Sequence, residues 1–326
     1  MARRVLILRT MRLALALGGI SLLVAGCHKA GDPGSDIDGS IGSGGGSDAA
    51  GPGFTMLISR SWTVPAGLEA YKCVRVQIPT DTWISAFRSQ SPVGTHHSVL
   101  TISTNSTQVG EYDCSASSLD SEMLYAAGVN TDDNYFPDGV AIKVAAGTYV
   151  NLNLHLFNTS DNPITATSGV LVKTMAAADV VNQADMQFSG SVTFSPIMPN
   201  AVGDSTTVTP VNGGCGVAHD FHTFTLWPHM HQIAVHQTFT VTGPTWGTGG
   251  TKLLDTDYQF GNQKNYPMVD TVIHAGDHIN TTCDYINTTG NPVKFGESST
   301  DEMCFTGIYR YPAGGNLLAC AYGQSI

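Results

Sequence analysis

Apolar and polar side chains alternate along much of the chain after residue 54. In the segment Val150-Asn-Leu-Asn-Leu-His-Leu-Phe157, apolar residues occupy every second position, which is the period of a strand with one buried face. Similar segments between clusters of Gly, Asn, Asp and Pro lie at residues 73–78, 140–144, 170–173 and 237–242. One stretch, Ser118 to Ala127, is instead compatible with a short helix, and no internal repeat is evident. The pattern predicts an all-β protein.

The N-terminal segment has a different pattern. Four arginines precede an apolar run from Leu13 to Ala25, which closes with small residues at Cys27. A short apolar run of this kind is typical of a bacterial lipoprotein signal, here residues 1–26, with Cys27 as the lipidated residue. It is too short to span a bilayer unaided, and translation from Met11 would leave a sufficient signal. The alternatives are an N-terminal membrane helix, or a cleaved secretory signal in which Cys27 is incidental.

Residues 27–53 are rich in Gly and Ser and are predicted to form a flexible tether. The remainder of the 326 residues is long enough for two domains. The formal net charge of −11 argues against a nucleic-acid partner and against charge-driven membrane binding, so a lipid would supply any attachment. These features predict a lipid-anchored protein of the cell envelope, at the outer membrane or the periplasmic face.

Two groups of residues of the types that bind metals lie further along the chain. His96 and His97 precede His155, and the pair His229-Met-His231 precedes Met303. Alternation places His155 on the polar face of its strand, and the two-residue spacing of 229 and 231 directs both imidazoles to one side. His96 and His97 can reach one metal only if the backbone bends, which Gly94 permits. A thioether favours cuprous copper over zinc, calcium or magnesium, so the two groups predict a two-copper redox protein.

These motifs resemble those of the copper type II, ascorbate-dependent monooxygenases, the family of the peptidylglycine α-hydroxylating and dopamine β-hydroxylating enzymes. The matching segments, in family order, are Tyr71-Lys-Cys73, Thr95-His-His97, Leu154-His155, Pro228-His-Met-His231 and Asp301-Glu-Met-Cys304, the last ending in Tyr311-Pro312. The resemblance implies two antiparallel jelly-roll β-sandwich domains, residues 54–185 and 186–326. Each would hold one copper ion, and the two ions would face a common cleft.

The resemblance also implies a division of roles. His96, His97 and His155 would hold an electron-transfer copper. His229, His231 and Met303 would be the catalytic ligands, holding the copper that meets O2 and substrate. Ascorbate or an equivalent reductant would supply two electrons, and a C–H bond of a small organic substrate would be hydroxylated.

The seven cysteines fit an exported protein. Apart from Cys27 their number is even, which indicates disulfides. Six cysteines allow 15 pairings, and the sequence alone does not choose among them. The resemblance implies Cys73–Cys114, Cys215–Cys320 and Cys283–Cys304.

The predicted cleft departs from the peptide-amidating members of the family. Those members bind a substrate carboxylate with Arg, Asn and Tyr, where this chain has Trp227, Phe305 and Gly307. No bidentate carboxylate clamp can be built from these side chains, so an aromatic or amine-like substrate is favoured over peptidylglycine. Tyr71 and Asn153 fall at further cleft positions of the family.

Two other functions compete with the enzyme. A non-catalytic copper-binding lipoprotein, for storage, delivery or sensing, would explain the missing substrate contacts. A purely structural pair of sandwiches would make the histidines coincidental. The other histidines of the C-terminal half fit neither ligand group; they are His219, His222, His236, His274 and His278.

Overall fold

The computed structural model describes residues 53–103, 106–115, 122–128 and 131–326. The predicted signal, Cys27 and all but the last residue of the predicted tether lie outside these ranges. The strands of the N-terminal half are β1 (Thr55–Val64), β2 (Glu69–Gln77), β3 (Thr82–Gln90), β4 (Thr95–Ser103), β5 (Gly110–Asp113), β6 (Glu122–Gly128), β7 (Asn134–Tyr135), β8 (Val140–Val144), β9 (Tyr149–Phe157), β10 (Ile164–Thr174) and β11 (Asn182–Gln183).

The strands of the C-terminal half are β12 (Asp185–Ser191), β13 (Thr209–Gly216), β14 (Phe221–His229), β15 (Ala234–Thr242), β16 (Thr251–Asp257), β17 (Tyr266–Ile273), β18 (His278–Tyr285) and β19 (Cys304–Tyr311). In the described parts of the chain the only helical elements are two 3-10 turns, Ala177–Asp179 and Cys320–Tyr322. The predicted all-β class is therefore confirmed.

The two halves build their sheets in the same way. The N-terminal half has one sheet in the order β1-β10-β3-β8-β11 and a second in the order β5-β2-β9-β4-β6. The C-terminal half has the orders β12-β19-β14-β17 and β13-β18-β15-β16. If the short strands β5, β7 and β11 are set aside, both halves place eight strands as 1-8-3-6 in one sheet and 2-7-4-5 in the other. On this order we interpret each half as the eight-stranded, double-sheet jelly roll that the resemblance implies.

The shared order exposes a short repeat that the sequence did not make evident. β9 is followed by Asn158-Thr-Ser-Asp-Asn-Pro163, and the corresponding β18 is followed, one residue later, by Asn287-Thr-Thr-Gly-Asn-Pro292. Asn158 Oδ1 accepts from the Ser160 amide at 2.9 Å, and Asn287 Oδ1 accepts from the Thr289 amide at 3.0 Å. An Asn side chain closes such a turn locally, so the same short sequence forms the same turn in both halves.

Strand β6 corrects the prediction of a helix at Ser118 to Ala127. Residues 122–127 are extended and pair with β4, while residues 118–121 lie outside the described ranges. Met123 to Ala127 are all buried, so this strand is covered on both faces. A continuous apolar run has no period that separates a doubly buried strand from a helix, which is why the sequence misled.

An apolar core continues from one half into the other. The ring of Phe136 lies 4.9 Å from that of Phe224 and 5.9 Å from that of Tyr309. Beside it the Thr225 hydroxyl donates to Asn134 Oδ1 at 2.9 Å, with both side chains buried. No strand pairing continues from β11 to β12, but side-chain packing continues from one half to the other. The domain boundary at 185/186 therefore stays a prediction.

The structure contains all three disulfides that the resemblance implies: Cys73–Cys114, Cys215–Cys320 and Cys283–Cys304. The first lies in the N-terminal half and the other two in the C-terminal half. Cys304 begins β19 directly after Met303, so the Cys283–Cys304 bridge fixes the backbone beside that residue.

Candidate metal centres

The first ligand group is assembled by two neighbouring strands. His97 on β4 lies directly opposite His155 on β9, and the register shifts between Thr95 and His97. This irregularity is the bend that two adjacent histidines need if both are to face one point. Gly94 precedes it with φ of 96°, and a Cβ there would lie 2.8 Å from the ring of Trp62.

The three imidazoles form a compact cluster. One ring nitrogen from each of His96, His97 and His155 lies within 4.8 Å of the others, and the Nδ1 atoms of His96 and His97 are 3.0 Å apart. His155 Nε2 contacts the Glu69 carboxylate at 2.5 Å, which calls for the Nε2–H tautomer. Its Nδ1 is buried without a hydrogen-bond partner. A buried nitrogen lone pair among imidazoles is a suitable ligand for copper or zinc.

Burial keeps these imidazoles neutral. Desolvation lowers the pKa of His96 to about 3 and that of His155 to about 4. It lowers the pKa of His97 well below its ordinary value, and the neighbouring His155 and His96 add to this effect. Neutral imidazole is the form that binds metal, so at neutral pH no proton has to leave before an ion enters.

The second group lies where β14 ends and β19 begins. His229 Nδ1 lies 3.1 Å from Gln263 Oε1, and His231 Nδ1 lies 3.0 Å from the Asp301 carbonyl oxygen. Since both oxygens accept, both rings carry a proton on Nδ1 and keep Nε2 for a metal. Desolvation lowers the pKa of His229 to about 3 and also lowers that of His231.

Glu302 organises the backbone of this group, a role that sequence reasoning missed. Its buried carboxyl accepts from the His231 amide at 2.7 Å and from the Ile233 amide at 2.9 Å. Burial raises its pKa to about 8. On its other side the Tyr285 hydroxyl donates to the Met303 carbonyl at 2.6 Å. The sequence signal was present, because Glu302 stands inside the Asp-Glu-Met-Cys motif.

Both groups line one cavity of about 690 Å³. His97 and His155 contribute from the N-terminal half, and His229, His231 and Met303 from the C-terminal half. The rings of His97 and His229 are 5.9 Å apart, so the two groups are neighbours. All four residues predicted for the substrate cleft also line this cavity: Tyr71, Asn153, Trp227 and Phe305.

The cavity wall beside Met303 is apolar. Trp227 stacks on the His229 ring at 4.8 Å, and Phe188 packs on Phe305 at 5.3 Å. A Cβ at Gly307 would lie 2.2 Å from Met186 Cε, so Met186 fills the space of a side chain at that position. Of the described residues in the lining, Glu297 is the only one with a formal charge at neutral pH.

The loop between β16 and β17 joins the two groups. Phe260 lies against His96 with ring centroids 3.9 Å apart, and Gln263 holds His229 as described. The Gln263 carbonyl in turn accepts from the Gly128 amide at 3.0 Å and from the Thr131 hydroxyl at 2.8 Å. A residue that orients a ligand of the second group is thus anchored to the N-terminal half.

Three of the other C-terminal histidines, His222, His236 and His274, make surface contacts with carboxylates. His236 contacts Asp255 at 2.7 Å and Asp257 at 3.0 Å through its two ring nitrogens, and His222 contacts Asp270 at 3.1 Å. Among the residues that the structure describes, the only cluster of three His, Cys, Asp or Glu side chains with metal-site spacing is His96, His97 and His155. The described ranges also include no helix with the length and apolarity needed to cross a membrane.

Comparison with known proteins gives a family match in the C-terminal half. Residues 200–325 match the family described as "copper type II ascorbate-dependent monooxygenase, C-terminal domain". No curated protein matches the chain. One similar solved structure, the subviral particle of infectious bursal disease virus VP2, shares 11% identity over 80% of this chain and 72% of that chain, with a TM-score of 0.14. That score supports no inference, whereas the family match includes Pro228-His-Met-His231 and Asp301-Glu-Met-Cys304. Over residues 200–325, the chain carries the C-terminal domain of the copper type II ascorbate-dependent monooxygenases.

Proposed function

We propose that this protein is a copper-dependent monooxygenase that hydroxylates a C–H bond of a small organic substrate, with O2 and an ascorbate-type reductant. The observation that carries the proposal is the single cavity onto which two imidazoles of the first group, both imidazoles of the second and Met303 face. Copper in these two sites would supply electron storage at the three histidines and oxygen activation at the Met site.

The chain's own groups orient and shield the reacting centre. Gln263 and the Asp301 carbonyl select the Nδ1–H tautomers of His229 and His231. Glu302 holds the backbone between these ligands through two amides. Trp227, Phe188 and Phe305 form an apolar wall beside Met303, which would limit the access of water to copper held there.

The cavity favours an apolar substrate, aromatic or amine-bearing. Its lining is mostly aromatic and aliphatic, and Glu297 is its one formal charge among the described residues. An anionic substrate would be buried without a cationic partner, which costs several kcal/mol. A neutral aromatic meets no such penalty, and an ammonium group can pair with Glu297.

Copper-dependent oxygen uptake tests this function. The protein is loaded with two equivalents of copper, and ascorbate-driven O2 consumption is measured against a panel of arylalkylamines, phenols and neutral aromatics. We expect at least one compound to raise uptake and to acquire one oxygen atom from labelled O2. Copper bound at both sites without substrate-coupled uptake would instead support a non-catalytic copper-binding protein. Failure to bind copper would reject both functions.

We also propose that Cys27 carries lipid and holds the protein in the cell envelope. The support is the sequence alone: a short apolar run, small residues and then cysteine. A tether rich in Gly and Ser would keep the cavity accessible to small molecules from solution.

A further inference from the structure

Three exposed apolar side chains lie on neighbouring chain segments at one end of the N-terminal half. Leu68, Val93 and Phe157 are 52%, 78% and 43% exposed. Their chain segments are joined by backbone hydrogen bonds, from Phe157 N to Gly94 O at 2.9 Å and from Asn158 N to Leu68 O at 3.0 Å. Single exposed apolar residues are ordinary, but adjoining ones indicate an interaction site. We call this set the tip patch.

The tip patch lies beside the first ligand group. Phe157 follows His155 by two residues on β9 and therefore shares its face, about 7 Å along the strand. On the neighbouring strand β2, Glu69 pairs with Phe157 and Tyr71 pairs with His155. Glu69 contacts His155 Nε2, and Tyr71 stacks on the His155 ring at 4.4 Å. A molecule docked on Phe157 would thus lie one side chain away from a predicted copper ligand.

The charge of this end is negative. Three segments form it, residues 61–71, 89–99 and 155–168, and they contain Glu69 and Asp161 but no Lys or Arg. The cations that directly flank these segments, Arg60, Lys72 and Arg88, are paired with Asp113 or Asp133. The whole chain has a formal net charge of −11. An apolar patch with an acidic surround is complementary to an apolar patch surrounded by lysines.

We infer that the tip patch is the docking surface for a protein electron donor, a small haem or copper protein with a basic surround. A small-molecule reductant needs no exposed apolar surface, whereas redox proteins form small, transient complexes that combine apolar contact with complementary charge. This inference rests on the proposed function, because it assigns a second electron source, beside the ascorbate-type reductant, to the His96, His97 and His155 site. One electron leaves the reduced metal of the donor and converts one cupric ion to cuprous, with no atom or proton transferred.

Reduced cytochrome c, a basic haem protein, serves as the probe. Its affinity for the metal-free protein is measured by titration calorimetry at low and high ionic strength. Its oxidation by the copper-loaded protein is followed in stopped flow. The matched variants are Val93→Lys at the tip patch and Val269→Lys on β17, where the valine is 85% exposed. We expect Val93→Lys to weaken binding and slow electron transfer at least about tenfold through like-charge repulsion, and Val269→Lys to change either by less than about twofold.

The outcomes separate docking from function. Reduction by ascorbate should be the same in both variants and the parent, since a small reductant does not need the patch. The inference is overturned if the parent does not bind cytochrome c at low ionic strength, or if the two variants have equal effects. If copper does not load, the proposed function fails, while calorimetry on the metal-free protein still decides the docking surface.

Discussion

Each of three predicted ligand histidines uses one ring nitrogen for a contact within the protein and has a second ring nitrogen for a metal. Nε2 of His155 contacts Glu69, Nδ1 of His229 contacts Gln263, and Nδ1 of His231 contacts the Asp301 carbonyl. Each contact selects one tautomer and fixes the direction of the remaining lone pair, which determines where an ion can sit. The sequence predicted the histidines but not these partners, since Glu69, Gln263 and Asp301 are far from their histidines along the chain.

Replacing Met303 with Leu should separate the two sites. Leu keeps the apolar volume but removes the one thioether of the second group, so cuprous affinity there should fall about tenfold or more. The three-histidine site shares no ligand with it and should still accept an electron from ascorbate. Competition with a cuprous chelator would measure the affinity, and oxygen uptake would measure turnover. Near-parental turnover in Met303→Leu would reject Met303 as the oxygen-site ligand.

His155→Ala should give the converse result. The second site should still load with cuprous copper, while turnover fails because the second electron has no store. Copper content per chain distinguishes this outcome from unfolding, since one equivalent should remain bound.

Acidification should destabilise the metal-free protein. The folded-state pKa values of His96 and His229 are about 3 and that of His155 is about 4, below the ordinary 6.5 of an unfolded chain. From pH 6.5 down to about 4 the unfolded chain therefore binds more protons at these histidines, and each lowers the free energy of unfolding by up to about 1.4 kcal/mol per pH unit. Glu302, whose folded-state pKa of about 8 lies above its ordinary 4.5, opposes them with one contribution of the same size. Urea unfolding between pH 7.5 and 4.5 measures this.

His96→Asn is the control for that dependence. It removes one titrating imidazole, so the slope of unfolding free energy against pH should be smaller than in the parent. A free energy of unfolding that stays constant or rises on acidification would contradict the assignment.

At the scale of elements, the irregular register of β4 decides whether two adjacent histidines can serve one ion. Gly94 combines φ of 96° with a Cβ position 2.8 Å from the Trp62 ring. Gly94→Ala should therefore displace β4, lower stability by about 1–3 kcal/mol and weaken copper binding at the first site. Thermal unfolding and copper titration measure the two effects.

Gly147→Ala is the matched control. Gly147 has φ of 83°, but the nearest atom to a Cβ there, Gln77 Nε2, is 4.0 Å away. The Gly147→Ala variant should lose stability from backbone strain alone and keep the copper affinity of the parent. Equal loss of affinity in the two variants would show that the Trp62 contact does not position His96 and His97.

Sequence reasoning succeeded where the period was clear and failed where it was not. The alternation of residues 150–157 predicted the strand β9, but its expected polar face is not exposed, because Asn151, Asn153 and His155 are all buried. β6 was mistaken for a helix because both its faces are buried. The bend at His96 and His97 was anticipated from Gly94, but the Trp62 contact that requires glycine joins strands distant in the chain. For the same reason the sequence did not show that Met186 fills the space of a side chain at Gly307.

At the scale of the whole molecule, one strand order serves two different ligand arrangements. His97 opposite His155 on β4 and β9 corresponds to His236 opposite Asp284 on β15 and β18, and each pair follows a register shift. The predicted ligand set of the C-terminal half lies instead at the end of β14 and before β19. At the equivalent position His236 contacts Asp255 and Asp257, so the two halves can differ in function without differing in fold.

The proposed membrane attachment can be tested on the full chain. If Cys27 is the lipidated residue, Cys27→Ala should move the protein from the membrane fraction to the soluble fraction and abolish labelling by a fatty-acid analogue. Stable anchoring by acyl chains follows from the apolar area they bury. A Cys27→Ala protein that remains membrane-bound, with no label in the parent, would contradict lipidation.

The cavity, built from both halves, should reject glycine-extended peptides. A bound carboxylate would face Trp227 and Phe305 without a cationic partner, and Met186 prevents a tyrosine from being accommodated at Gly307. Burying an unpaired carboxylate costs several kcal/mol, so turnover should be at least about a hundredfold below that of the best apolar substrate. The matched comparison is the same peptide capped as a methyl amide, which keeps its size and removes its charge. If the cavity discriminates by charge, the capped peptide should bind more tightly than the free acid. A free acid that binds more tightly, or turns over at the rate of the best substrate, would require a cation that the cavity does not supply.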